Sequence, residues 1–256
     1  MTVSGFLIDL DGVVYINGEP IPGSPEVLRE LLDRKIPFRF VSNNTHRSRR
    51  SIADRLAGFG VTVPVEWIFT PLIAAVSYLR DAGAGSCWFL GSPDAAEELL
   101  AAGIDPCNQN ASHVLVGDLS DVLSYEMLVA GFRILANNNA ELLALEHDRY
   151  FKGSDGLLLS AGAFVSALEF AADTRAQLLG KPSAEFFSRA LADLSLPSEE
   201  VIMIGDDPRS DIGGAAAVGV RGVLVLTGKF SGELPADAIT PYRIISGLSD
   251  IRQFMQ

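Results

Sequence analysis

Phe6-Leu7-Ile8-Asp9-Leu10-Asp11-Gly12 places two carboxylates two positions apart at the end of an apolar run. The run from Phe6 to Leu10 is short and rich in large aliphatic residues, which predicts a buried strand. Carboxylates in that position are costly to bury unless a cation neutralises them. At the carboxyl end of a parallel strand they would lie where α/β sheets gather their ligands. By itself, Asp11-Gly12 reads equally well as a simple turn, because Asp-Gly is a common turn pair. A calcium loop of the EF-hand type starting at Asp9 is excluded, since Val14 stands where glycine is required and Pro20 where the bidentate glutamate belongs.

Outward from this segment, short apolar runs alternate with amphipathic helical patterns, the grammar of an α/β fold with a largely parallel sheet. Ser24-Pro25 opens a helix, with Ser24 as the expected N-cap and Val27, Leu28, Leu31 and Leu32 on its inner face. Phe38 to Val41 is a second strand, and a helix carrying Ile52, Leu56 and Phe59 follows it, stopped by Gly60. The same pattern returns near the C-terminus. Ser183 caps a helix with Phe186, Phe187 and Leu194 inside, and Val201 to Ile204 and Gly222 to Leu226 read as strands. Between these halves, strands at Cys87–Leu90, Val114–Val116 and Leu157–Leu159 and helices at Asp94–Ala101 and Tyr125–Ala136 suffice for an independent α/β unit. The expected organisation is a Rossmann-like parallel-sheet core, residues 1–81 plus 179–256, with a smaller α/β domain, residues 82–178, inserted into it.

Three further motifs fall at strand ends or helix starts. Gly205-Asp206-Asp207-Pro208-Arg209-Ser210-Asp211 follows a buried strand and reads either as a turn whose aspartate caps the next helix or as a hard-cation site. Ser42-Asn43-Asn44-Thr45 supplies hydroxyl and amide donors, although alone it is a capping turn. Gly180-Lys181-Pro182-Ser183 sets a lysine just before a helix N-terminus, a poor place for a cation unless an anion lies nearby. Together the four motifs are chemically complementary: a carboxylate pair, neutral phosphate donors, a lysine and an acidic cluster.

In this order the set resembles the haloacid dehalogenase superfamily, whose motifs are Asp-x-Asp, Ser/Thr, Lys and Gly-Asp-Asp. Asp11 to Ser42 is too short an interval for an inserted domain, whereas Ser42 to Lys181 holds one. That spacing resembles subfamily IIA, the NagD-like branch with a large α/β C2 cap. Within it, Arg149-Tyr150-Phe151-Lys152, Ala167-Leu168-Glu169-Phe170-Ala171, Met203-Ile204-Gly205-Asp206-Asp207 and Thr227-Gly228-Lys229-Phe230 are similar to the phospholysine phosphohistidine inorganic pyrophosphate phosphatases and their relatives. The resemblance implies a phosphatase for small phosphorylated substrates, with Asp9 as nucleophile through an aspartyl-phosphate and Asp11 as acid and base. It implies Mg²⁺ held by Asp9, the Asp11 carbonyl and Asp206, with Asp207 and Asp211 orienting waters or the loop. Ser42, the Asn43 amide and Lys181 would hold the phosphate, and His147 and Arg149, with Asp148 and Tyr150, would help select the substrate. A homodimer through the cap is implied as well. Nucleotides, sugar phosphates, pyridoxal phosphate, pyrophosphate and phospho-amino acids all remain open as substrates.

Composition bounds these expectations. Over 256 residues the chain is 48% apolar and 20% charged, with a formal net charge of −12. It lacks the basic surplus a nucleic-acid binder uses to neutralise phosphates. One lysine and one metal ion can still set a local positive field. No uninterrupted apolar run reaches membrane-spanning length, and Cys87 and Cys107 stand in unrelated contexts without zinc spacing. A cytoplasmic, reduced protein is the expectation, with neither membrane nor nucleic acid as partner. A receiver-like signalling domain shares the phospho-aspartate chemistry but needs no cap and no second aspartate. A silent phosphate-binding protein would not need all four motifs. A dinucleotide fold is disfavoured, because Gly83-Ala84-Gly85 lacks a third glycine and precedes a strand.

Overall fold

The computed structural model describes residues 3–119, 123–152, 156–230 and 232–255. The chain begins with β1 (Gly5–Ile8), a small hairpin of β2 (Tyr15–Ile16) and β3 (Glu19–Pro20), then α1 (Ser24–Asp33), β4 (Phe38–Val41), α2 (Arg49–Gly58) and β5 (Ile68–Phe69). It continues through α3 (Pro71–Asp81), β6 (Trp88–Leu90), α4 (Pro93–Ala101), β7 (His113–Val116), α5 (Tyr125–Asn138) and β8 (Glu141–Ala144). Next come β9 (Tyr150–Lys152), β10 (Leu157–Leu159), α6 (Ala161–Ala172) and β11 (Gln177–Leu178). The last part holds α7 (Ala184–Leu194), β12 (Val201–Gly205), a helical turn at Pro208–Gly213, α8 (Gly214–Ala216), β13 (Arg221–Val225) and β14 (Arg243–Ile245). The side chains of Phe151 and Lys152 lie outside what is described.

These elements form two compact units. The first comprises Met1–Ser42, Arg49–Phe69 and Lys181–Gln256; the second comprises Asn43–Ser48 and Thr70–Gly180. Helix α3 and the six residues after Ser42 therefore belong with the insertion.

The first unit is built on a six-stranded sheet in the order β14-β13-β12-β1-β4-β5, with every pairing parallel. Strand alternation divides its two faces. Phe6 and Ile8 join Val27, Leu28 and Leu31 of α1 and Ile52 and Leu56 of α2 in one core, while Phe69 meets Phe186 of α7 edge to face at 5.2 Å. From β1 the chain builds outward through β4 and β5 on one side and through β12, β13 and β14 on the other. The direction of strand order reverses at β1 and β12, the place where open α/β sheets form a ligand crevice.

The second unit carries its own parallel sheet, β11-β8-β7-β6, with a separate antiparallel hairpin of β9 and β10. Leu90, Val114, Val116, Leu142 and Ala144 pack on one side of it with Ile134 of α5 and Val165 of α6. The mixed α/β architecture, a parallel-sheet core with a second α/β unit, follows the sequence expectation. One local reading is corrected: Ser24 is the first residue of α1, not its N-cap. Gly23 occupies the cap in a left-handed conformation, φ +85°, which a glycine accepts without a Cβ penalty. Ser24 instead donates its hydroxyl to the Val13 carbonyl at 3.1 Å, tying the helix to the loop after Asp11. Among the described residues no helix is long and apolar enough to cross a membrane.

Candidate active site

Asp9 follows directly on β1, and its N–H donates to the Ile204 carbonyl of β12 at 2.9 Å, continuing the parallel ladder one step beyond the strand. Its carboxylate is therefore fixed at the carboxyl edge of the sheet, where the strand order reverses. Lys181 reaches the same point from the start of the third segment. Its Nζ donates to Asp9 Oδ1 at 2.6 Å, to Asp211 Oδ1 at 2.7 Å and to the Val41 carbonyl at 3.2 Å. All three ionisable groups are buried, with Lys181 4%, Asp9 5% and Asp211 1% exposed. The anion that the position of Lys181 demanded is thus supplied twice.

The acidic loop after β12 organises itself around Asp211. Asp211 Oδ2 accepts the N–H groups of Asp206 and Asp207, each at 3.1 Å, while its Oδ1 takes Lys181. Asp207 Oδ1 accepts the N–H groups of Arg209 and Ser210 at 2.9 Å and so caps the helical turn that follows. Asp206 is left aimed inward, with Oδ2 accepting the Lys229 N–H at 2.6 Å. Gly12 and Gly228 lie so close to the Asp206 carboxylate that a Cβ on either would overlap it. Thr227 donates its hydroxyl to the Gly12 carbonyl at 2.6 Å and closes this ring of backbone.

Asp9, Asp206 and Asp211 each offer a carboxylate oxygen within 4.8 Å of the others. Three carboxylates facing one buried lysine leave negative charge uncompensated. Burial, reinforced by the charges of Asp211 and Asp206 and opposed by Lys181, holds Asp9 well above the ordinary carboxylate range. Burial and Asp211 push Asp206 up to about 6. For Lys181, burial alone would lower the pKa, but Asp211 and Asp9 outweigh it and keep the ammonium charged. Clustered oxygen donors with excess negative charge suit a hard divalent cation. Because both oxygens of Asp211 are engaged by Lys181 and the loop amides, Asp9 and Asp206 are the better placed ligands.

Asp11, two residues beyond Asp9, is exposed to solvent. The Tyr15 hydroxyl donates to its Oδ2 at 3.4 Å, and the Arg55 guanidinium lies 5.2 Å above the Tyr15 ring. Although the residue reaches solvent, crowding by protein raises its pKa, against the pull of Arg55 and the Tyr15 hydrogen bond. Tyr15 itself is buried, and its carbonyl accepts the Gly12 N–H at 2.8 Å, so the loop from Asp11 to Tyr15 is closed on itself.

Ser42 follows β4 at the same sheet edge, buried, with its N–H donating to the Phe69 carbonyl at 3.1 Å. Asn43 opens the part of the second unit that runs to Ser48. There Asn44 Oδ1 accepts the N–H groups of His46 and Arg47, and Thr45 Oγ1 accepts the Asp118 N–H at 3.1 Å. His147 and Arg149 also belong to the second unit. His147 Nε2 lies 3.8 Å from Glu169 Oε2, and the Arg149 carbonyl accepts the Ser160 N–H at 3.3 Å. The first unit thus unites Asp9, Asp11, Ser42, Lys181, Asp206, Asp207 and Asp211, while Asn43, His147 and Arg149 fall in the second. Sequence reasoning missed Tyr15 and Arg55 at Asp11, and Glu146 beside His147. An aromatic residue in an apolar run carries no sign that its hydroxyl is used.

Residues 6–105 match the family model described as haloacid dehalogenase-like hydrolase, and residues 178–251 match a second, HAD-hydrolase-like model. The chain is 36% identical over 245 residues to the phospholysine phosphohistidine inorganic pyrophosphate phosphatase of Danio rerio, covering 94% of this chain and 88% of that protein. It is 38% identical over 227 residues to haloacid dehalogenase-like hydrolase domain-containing protein 2 of Homo sapiens, covering 88% and 84%. Among solved structures, a p-nitrophenyl phosphatase from Archaeoglobus fulgidus superposes with a TM-score of 0.91 at 28% identity over 99% of both chains. NagD from E. coli K-12 superposes with a TM-score of 0.88 at 26% identity over 98% of this chain and 99% of that one. With these similarities spanning nearly its whole length, the chain belongs to the haloacid dehalogenase-like hydrolases, in their NagD-like subfamily IIA.

Proposed function

We propose that the protein is a Mg²⁺-dependent phosphatase of small phosphorylated substrates, working through an aspartyl-phosphate on Asp9. The observation that carries this reading is the buried cluster in which Lys181 is clamped between Asp9 and Asp211 with Asp206 beside them. Two of the similar proteins are phosphatases, which supports the same chemistry.

In this reading Asp9 attacks phosphorus in line. The new bond to its carboxylate oxygen forms as the bond to the leaving oxygen breaks, and Asp11 delivers the proton that oxygen needs. Asp11, now a carboxylate, takes a proton from the water that attacks phosphorus and releases Asp9. Ser42 and the Asn43 N–H donate to the non-bridging oxygens, and Lys181 offsets their charge. Asp9, the Asp11 carbonyl and Asp206 would hold Mg²⁺, while Asp207 and Asp211 keep the loop in shape. The ion, when bound, supplies the positive field that lets an anionic carboxylate meet an anionic phosphate.

The first unit is the catalytic core in this proposal and the second is the cap, with His147 and Arg149 selecting the substrate. Free, unpaired Cys87 and Cys107 are in keeping with a cytoplasmic setting. The exposed Tyr125, Leu157, Leu159 and Phe170 of the second unit support self-association through it. The test is phosphate release from p-nitrophenyl phosphate and a metabolite panel with and without Mg²⁺. Turnover that needs the ion and disappears in Asp9→Asn is expected. Full activity in folded Asp9→Asn, or after exhaustive chelation, would overturn the proposal.

A further inference from the structure

Glu146 is a buried carboxylate, 4% exposed, that the chemistry above does not use. It follows β8 directly and precedes His147. Its Oε1 accepts the Ser160 hydroxyl and the Ala161 N–H, both at 2.7 Å, and its Oε2 accepts the Asp148 N–H at 2.6 Å. Ser160 is the N-cap of α6, yet its hydroxyl makes no capping bond to the helix. A cap serine ordinarily accepts from the first turn; here it donates to Glu146, and the glutamate takes over the helix N–H that serine would have satisfied. A negative charge at a helix N-terminus is also favoured by the helix dipole.

The contact is continued by backbone. The Gly162 N–H donates to the Asp148 carbonyl at 3.1 Å, and the Ser160 N–H donates to the Arg149 carbonyl. A Cβ on Gly162 would stand about 2.5 Å from the Asp148 carbonyl oxygen, closer than real Cβ atoms come to any atom. The first turn of α6 is therefore moulded to the path of residues 146–149 by these backbone-to-backbone bonds together with the Glu146 carboxylate. At the far side His147 faces Glu169, which lies about two turns along the same helix.

We infer that Glu146 is a positioning residue for substrate selection: its carboxylate, bridging Asp148 and the N-terminus of α6, sets where His147 and Arg149 are presented. The inference rests on the reading of His147 and Arg149 as selecting residues. Three charge-assisted bonds from one buried group define the segment more tightly than solvent-exposed side chains can. Loss of the bridge moves the two side chains without touching the core that performs phosphoryl transfer.

The test compares kcat and KM on acetyl phosphate, p-nitrophenyl phosphate and several larger phosphate esters for Glu146→Gln, Gly162→Ala, His147→Ala and Arg149→Ala. Gln keeps one acceptor oxygen but turns an amide N–H₂ toward the Asp148 N–H, so it breaks the bridge with little change of volume. Gly162→Ala displaces the same segment from the other side with Glu146 intact, and alanine favours the helix itself. Expected for both is a loss in kcat/KM about tenfold greater on the large esters than on acetyl phosphate, carried by KM. Arg149→Ala should show the same ranking of substrates, and its double mutant with Glu146→Gln should lose less than the two single effects combined. If His147→Ala and Arg149→Ala reorder the substrates while folded Glu146→Gln and Gly162→Ala do not, the positioning role is refuted and selection survives. Equal losses on every ester for His147→Ala and Arg149→Ala would remove the selection reading itself, and this inference with it. Should Glu146→Gln fail to fold, Gly162→Ala decides.

Discussion

Lys181 and Asp9 stand 172 residues apart in the chain and 2.6 Å apart in the fold, both buried. The same ammonium bonds Asp211, whose other oxygen holds the amides of the acidic loop. One lysine thus joins the end of β1, the end of β4 through the Val41 carbonyl, and the loop after β12. These are the three strands whose carboxyl ends surround the reversal of strand order. A cation at this junction is a structural requirement of the cluster before it is a substrate ligand, because neither carboxylate can be buried charged without it.

Lys181→Met should therefore lose both stability and activity. Removing one partner of a buried ion pair leaves the other charge uncompensated, a cost of about 3–5 kcal/mol. Thermal unfolding of the chelated protein should record a clear loss, partly restored by Mg²⁺. A variant that melts like the parent protein would show that Asp9 and Asp211 do not depend on Lys181.

Stability of the metal-free protein should depend on pH through Asp9 and Asp206. Both have folded pKa values raised mainly by burial, Asp206 to about 6 and Asp9 upward as well. A raised carboxylate contributes stability that is complete below the ordinary carboxylate range and is lost as pH climbs through the folded value. Chelated protein should thus weaken as pH rises from about 4 past 6, and Mg²⁺ should reverse the loss near neutrality. Saturating ion at about 100 times its Kd adds roughly 2.7 kcal/mol, several degrees in melting temperature for a chain of this size. Asp9→Asn should flatten the upper part of the decline, and Asp206→Asn the lower part. A melting temperature indifferent to both pH and Mg²⁺ would contradict the assignment.

Gly12→Ala should be far more damaging than its size suggests. Gly12 has φ +82°, a conformation that strains any L side chain, and a Cβ there would overlap the Asp206 carboxylate. The expected result is loss of turnover on every substrate, with Mg²⁺ stabilisation reduced as for Asp206→Asn. Retained Mg²⁺ response in Gly12→Ala would mean that the approach of this backbone to Asp206 is not needed.

The acidic motifs were legible because each couples a buried strand to charge, a combination that is unstable without a reason. Asp9 and Asp206 announce themselves in this way and Lys181 by preceding a helix N-terminus, and the fold brings the three together at the carboxyl edge of one sheet, whose strand order the sequence does not spell out. Ser24 was misread because serine before proline is a strong cap signal, whereas the left-handed Gly23 that actually ends the turn looks like any loop glycine. Asn43 could be placed beside Ser42 in sequence, but its grouping with the second unit depends on contacts such as Thr45 to Asp118, which span the insertion. Glu146 was invisible for a related reason. Its partners are backbone amides and a serine some fourteen residues on, and side-chain to backbone bonds leave no pattern in residue types.

The Tyr15 hydroxyl is the group that touches Asp11, the proposed acid. Bonded to Asp11 Oδ2 at 3.4 Å, it leaves Oδ1 as the oxygen that exchanges a proton with the leaving group. Tyr15→Phe keeps the ring, its burial, the Gly12 backbone bond and the Arg55 stacking, and removes only the hydroxyl. An acid matters most when the leaving oxygen is basic and little when it is not, since p-nitrophenolate departs without a proton. Asp11→Asn should thus lose far more activity on alkyl phosphates than on p-nitrophenyl phosphate. Tyr15→Phe should follow the same trend at smaller scale, by about tenfold on alkyl esters, the value of one hydrogen bond to a charged group. A variant that loses activity equally on both classes would reduce Tyr15 to packing. If Asp11→Asn itself showed no dependence on the leaving group, Asp11 would cease to be the acid, and the proton would have to come from another group at this edge of the sheet.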